Sequence, residues 1–170
     1  MLSLNPSLIL AQVGMDKISV KAGRCSIVEA TKDHIEDIYP FMRKADRIEL
    51  ACIGREPKQA LEHGLANDDT TLTALDPYGV PVGMFGVGRV EHLAYIWWLS
   101  TDIVNDHAYD FIRESRKWTQ ILTKPYGVTF NVVHAENKSA LKWLKFCGAV
   151  FIRKIEINNH PFFEFIITSK

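Results

Sequence analysis

Few side chains in this sequence are typed and placed for chemistry, and His134 comes first. It closes an almost continuously apolar, β-branched run that begins at Val128. Strand ends are where open sheets tend to carry their sites, so its imidazole is a candidate general base. Its alternative is a hydrogen-bonded structural histidine. Three residues on, Asn137 opens a helical stretch as a candidate cap. Glu91 and His92 fall in an expected tight turn and should be solvated. Gly83, Gly86 and Gly88 do not lead from a strand into a helix and fit no nucleotide-loop spacing, so they mark a bulge or close packing within a strand. Trp97 and Trp98 are adjacent and must face opposite sides of a sheet. One belongs in the core, and the other lines a cleft or anchors a protein interface.

Metal and disulfide chemistry find no support along the chain. Cys25, Cys52 and Cys147 are odd in number and far apart, and the six histidines show no HxxxH or comparable spacing, so no metal site is expected. Cys147 precedes a helix-ending glycine among apolar residues and reads as a buried, inert thiol, which suits a reducing compartment. No local motif assembles a Ser-His-Asp or Cys-His arrangement.

The chain has 170 residues, 47% of them apolar and 24% charged, as in an ordinary globular domain. Lys plus Arg and Asp plus Glu are both 20, so the net charge is zero, which argues against a nucleic-acid-coating protein. The densest basic cluster, Arg113, Arg116 and Lys117, reads as a solvated helix face. Residues 1–24 read as an N-terminal arm, either disordered or docked on a neighbour, and 25–170 as one domain. The apolar stretch Leu2–Val13 lacks a basic leader and is too short to span a bilayer, so neither export nor a membrane span is expected. Met15 is a possible internal start.

The elements that must hold these residues follow from periodicity and punctuation. Ser26–Ala30 reads as a strand, and Thr31 caps a helix carrying Ile35, Ile38, Phe41 and Met42 that Pro40 ends or kinks. Asp46 is expected to cap a second helix through Ile53, broken by Gly54, and Glu56-Pro57 opens a third to about Leu65. Thr70–Leu75, Pro81–Val90 and His92–Leu99 are strands, the first two joined by the Asp76–Gly79 turn. A long helix is expected over Ile103–Leu122, then the Val128–His134 strand, a helix from Lys138 to Cys147 stopped by Gly148, and strands Val150–Ile157 and Phe162–Thr168. This is an α/β (α+β) order: a mixed, mostly antiparallel sheet with one parallel pair, flanked by helices.

The order resembles the GNAT N-acetyltransferase superfamily over about residues 25–170. A more specific likeness is to internal virion proteins, and related GNAT-like proteins, of short-tailed phages. It rests on Met42–Leu50, Pro81–Gly86, Trp97–Asp102, Arg113–Trp118 and, above all, Trp143–Phe151 with Phe165–Thr168. The resemblance implies a phage virion-morphogenesis protein on a GNAT-like scaffold. Such a protein would bind other phage structural or assembly proteins, or a host protein, alone or as an oligomer, in the host cytoplasm or the virion. Its alternative is an acetyl-CoA-dependent N-acetyltransferase acting on a protein or small-molecule amine.

A working member of the superfamily holds the diphosphate of acetyl-CoA on a basic, glycine-rich turn opening the helix after its fourth strand. The matching turn here, Ser100–Asp106, has no glycine and no arginine, and Asp102 and Asp106 would repel a diphosphate and cap the helix themselves. Many members also carry an acidic tyrosine four residues before the last helix's glycine, where this chain has Leu144. The expectation is therefore a degenerate site with no cofactor. Under the acetyltransferase alternative, the backbone of Trp98, Leu99, Ser100 and Thr101 would hold the pantetheine and Asn137 would assist. Glu49, on the helix that borders the acceptor in this fold, or His134 would then be the base. The competing use of Glu49 is an ion pair with Arg43 or Arg47.

Overall fold

The computed structural model describes residues 20–22, 24–106 and 108–170. Residues 1–19, where most of the expected arm and Met15 fall, lie outside the described residues. Strand β1 (Val20–Ala22) pairs with β2 (Cys25–Glu29), so the end of the stretch assigned to the arm adds an edge strand to the domain.

Helix α1 (Lys32–Ile38) begins where Thr31 Oγ1 accepts the His34 N–H, and Pro40 turns the chain into a 3-10 segment, Tyr39–Phe41. The expected helical face stops there, leaving Phe41 68% exposed. Helix α2 (Lys44–Cys52) has Arg43 at its N-cap position, and α3 (Pro57–Asn67) starts on its proline. Asp46 therefore does not cap α2: it lies inside the first turn, buried, and its carboxylate is used elsewhere.

Strands β3 (Thr70–Leu75), β4 (Pro81–Val90) and β5 (Leu93–Ser100) form an antiparallel meander. A 3-10 segment, Asp102–Asn105, leads to helix α4 (Ala108–Thr123), where one continuous helix was expected. The i→i+3 bonds Val104 N–H to Thr101 O and Asp106 N–H to Ile103 O tighten this stretch, and Asn105 and Asp106 are poor helix formers. The chain closes with β6 (Val128–His134), α5 (Lys138–Cys147), β7 (Val150–Ile157) and β8 (His160–Thr168). Gly148 ends α5 at φ 94°, a left-handed conformation that glycine adopts without penalty.

Among the described residues the sheet has eight strands in the order β1-β2-β3-β4-β5-β6-β8-β7, antiparallel except for β5 with β6. Two apolar layers cover it. Ile35, Ile38, Leu50, Leu61 and Met84 join α1–α3 to one face. Phe111, Trp118, Leu122 and Leu144 of α4 and α5 pack on Phe85, Ile96, Val133 and Phe165 on the other. Trp97 joins the first layer and Trp98 the second, as adjacent strand positions require. Gly86 permits the close approach of β4 to β3, since a Cβ there would lie 2.3 Å from Thr70 O on the neighbouring strand. Cys147 is fully buried, and burial pushes its thiol pKa up, as an inert thiol requires.

Candidate functional site

The parallel contact of β5 with β6 is a single pair, Tyr95↔Phe130. Beyond it the strands part, and the Asn131 side chain takes the place of the next ladder bond, its Nδ2 donating to Ile96 O at 2.7 Å. Peptide groups alternate along a strand, so the N–H and C=O of Trp98 point to the same edge as Ile96 C=O, into the gap. The gap opens a cavity of about 870 Å³ that reaches both faces of the sheet. Aromatic residues line its α4–α5 side: the Trp98 ring lies 4.9 Å from Phe85, 6.3 Å from Trp143 and 6.5 Å from Phe111. Glu49, Asp68, Arg55, His63 and the Arg43–Asp46 pair line the side under α2 and α3.

Of the four residues expected at the cofactor's arm, only Trp98 keeps its peptide groups facing the gap. Leu99 turns its peptide groups to β4, where it pairs with Met84. Ser100 N–H donates to Asp46 Oδ2 at 3.0 Å, and Ser100 O accepts the Arg43 N–H at 2.8 Å. Thr101 N–H donates to Val82 O at 2.9 Å. Asp46 thus closes the far end of the gap, held by Arg43 at 2.7 Å.

Glu49 is half-buried on the cavity wall. Its Oε2 accepts the His134 N–H at 3.0 Å and Asn137 Nδ2 at 3.2 Å, while Oε1 has no protein partner among the described residues. The expected ion pair is not formed: Arg43 binds Asp46, and Arg47 donates to the carbonyls of Met42, Tyr39 and Pro40. Burial raises the Glu49 pKa above the usual carboxylate range, and the two hydrogen bonds offset part of that rise. Asn137 caps α5 as expected and also contacts Glu49. Its Oδ1 accepts the Ala140 N–H at 3.3 Å as the cap of α5, and its amide orients Glu49.

His134 enters the site through its backbone. Its ring turns toward Phe162, 5.1 Å away edge-on, and toward Cys52 and His160 rather than the cavity. The imidazole is therefore not placed as a base for chemistry in the gap. Asp68, in the run Asn67-Asp68-Asp69, was not singled out by the sequence. It accepts Trp97 Nε1–H at 2.5 Å and the Tyr95 hydroxyl, and burial raises its pKa. No local pattern signals it, because both donors come from β5.

At the Ser100–Asp106 turn both carboxylates are exposed: Asp102 lies in the first turn of the 3-10 segment and Asp106 ends that segment. The Thr101, Val104 and Asp106 amides are spent on carbonyls, and the turn offers a diphosphate no positive charge. Leu144 is buried and forms cavity wall in place of a proton donor. The residues present fit the thioester and pantetheine half of acetyl-CoA; they do not fit its diphosphate.

No protein-family model and no curated protein sequence matches the chain. Solved structures do. A GNAT-family acetyltransferase from Bacillus anthracis aligns at TM-score 0.63 with 14% identity, over 89% of this chain and 98% of that one. The ribosomal-protein-S5-alanine acetyltransferase of Vibrio fischeri aligns at 0.63 with 12% identity, over 91% and 98%. The ribosomal-protein-S18-alanine N-acetyltransferase of Escherichia coli aligns at 0.61 with 8% identity, over 86% and 95%. At these identities the likeness shows the fold alone: the domain has the GNAT fold. Nothing in the comparisons links it to phage virion proteins. Among the described residues no helix is long and apolar enough to cross a membrane.

Proposed function

We propose that this domain is an N-acyltransferase that moves an acyl group from a pantetheine thioester, acetyl-CoA in the simplest case, directly to an amine. One observation carries the reading. Glu49, a carboxylate of raised pKa, stands on the cavity wall, oriented by the His134 N–H and Asn137, where β5 and β6 part. The GNAT-fold neighbours support the same class of reaction.

Each named group has a task. The thioester supplies an activated acyl carbonyl. Trp98 N–H and C=O hold the donor's amide-bearing arm at the open edge of β5. The acceptor enters beneath α2 and α3, and Glu49 takes a proton from its ammonium, freeing the lone pair for attack. A base is most effective with its pKa near the working pH, so raising a carboxylate by burial suits it to this task. As the C–S bond breaks, the acylated nitrogen gives its second proton to solvent, and the departing thiolate, which meets no side-chain acid at Leu144, takes one from solvent.

The test is acyl transfer to a panel of amines, with Glu49→Gln as the variant. Removing a general base costs about 10²–10⁴-fold in rate, and Gln keeps an oxygen for both donors, so loss of turnover with unchanged folding supports the role. Full activity in Glu49→Gln would remove it. The rival reading, a scaffold acting only by binding phage or host proteins, has the acidic Ser100–Asp106 turn in its favour. It predicts neither donor binding nor turnover.

A further inference from the structure

Behind the Glu49 wall, three metal-ligating side chains from distant segments converge. Cys52 lies buried at the C-terminal end of α2, His134 ends β6, and His160 begins β8. Their ligand atoms all lie within 4.8 Å of one another. The framework holding them is specific. Asn158 and Asn159, at φ 49° and 63°, form the two-residue β7–β8 turn, and Asn158 Nδ2 donates to Cys52 O at 3.0 Å. That bond draws the hairpin onto α2 and delivers His160 beside Cys52.

We propose that Cys52, His134 and His160 bind a zinc-class divalent ion, with the fourth position left to water on the exposed side of His160. One thiolate and two imidazoles form a borderline-to-soft donor set that selects zinc over magnesium or calcium. Tetrahedral zinc, with bonds of about 2.0–2.3 Å, sets its ligand atoms roughly 3.5 Å apart, so rotamer adjustments of about an ångström close the site. Binding releases the Cys52 thiol proton to solvent. His134 Nδ1 accepts the Glu136 N–H at a long 3.3 Å. Ligation through Nε2 shifts the ring proton to Nδ1 and passes that amide, on an exposed residue, to water. The ion would fasten α2, β6 and the β7–β8 turn together one helical turn from Glu49, whose acceptor bond runs to His134's own N–H.

The experiment uses the full chain, stripped with a chelator and kept reduced with a phosphine, titrated with Co²⁺ and then Zn²⁺. The result expected is one equivalent of Co²⁺, with a near-ultraviolet thiolate-to-metal band and tetrahedral d–d bands that Zn²⁺ abolishes. His160→Asn, at an exposed position that leaves the fold intact, should weaken binding at least about tenfold, and Cys52→Ser should remove the thiolate band. Zinc at a hundredfold excess over its Kd should raise the Tm by about 5–10 °C in the parent chain and not in His160→Asn. Absence of the thiolate band, or binding unchanged in His160→Asn, overturns the site. Because the readout is metal binding and not turnover, its failure is separate from failure of the acyltransferase reading.

Discussion

Replacing Glu49 by Ala and by Gln separates its two duties. In Glu49→Ala the His134 N–H and Asn137 Nδ2 both lose their acceptor. A buried donor left unpaired costs about 1–3 kcal/mol. Glu49 borders a cavity that water can enter, so the lower end applies and the loss should total about 2 kcal/mol. For a domain of this size that is a fall in Tm of roughly 4–8 °C. In Glu49→Gln the amide oxygen can take both donors, and the cost near pH 4 should be within about 0.5 kcal/mol. The pH dependence carries a definite sign. A carboxyl whose pKa is raised on folding contributes stability below its unfolded pKa and loses it as pH rises through the folded value. Gln does not ionise, so Glu49→Gln should gain on the parent between about pH 4 and about pH 8. Urea unfolding of the three proteins at both pH values reads this directly. Equal destabilisation by Gln and Ala, or a Gln-minus-parent difference that does not grow with pH, would refute the burial-and-clamp account of Glu49.

Three further substitutions probe the frame of the site. Asp46→Ala strips a buried carboxylate from Arg43 and from the Ser100 N–H, and should cost about 3–5 kcal/mol by calorimetry. Asp68→Asn turns an amide NH₂ toward one of its two donors, Tyr95 or Trp97, and should cost about 1–3 kcal/mol in urea unfolding. Gly86→Ala drives a Cβ against the backbone Thr70 O and should destabilise by about 3 kcal/mol, read as a lowered urea midpoint.

The tail was legible because its punctuation is local. An apolar β-branched run, the Asn137 cap and Gly148 place β6 and α5 at the residues found, and β8 starts only two residues before the expected Phe162. The start of α4 was not legible, since the pattern from Ile103 is helical while the backbone first tightens into a 3-10 turn. Glu49 was named, but its partners were not. Its arginine neighbours in sequence turn to Asp46 and to carbonyls, and its real donors come from the far side of the β5–β6 gap. Cys52, His134 and His160 escaped a search by spacing for the same reason: strand order brings them together. The likeness to phage virion proteins rested on short pattern matches that no finding supports, whereas the solved structures do support the GNAT fold.

The most direct measurement is isothermal titration with acetyl-CoA and, in parallel, with acetyl-pantetheine, which lacks the diphosphate. The account predicts that both bind, with affinities within about tenfold of each other, because Trp98 and the aromatic cavity hold the arm while the Ser100–Asp106 turn sets two carboxylates and no positive charge before the diphosphate. Binding of neither would contradict the acyltransferase reading. Acetyl-CoA binding far tighter than acetyl-pantetheine would contradict the reading of the turn.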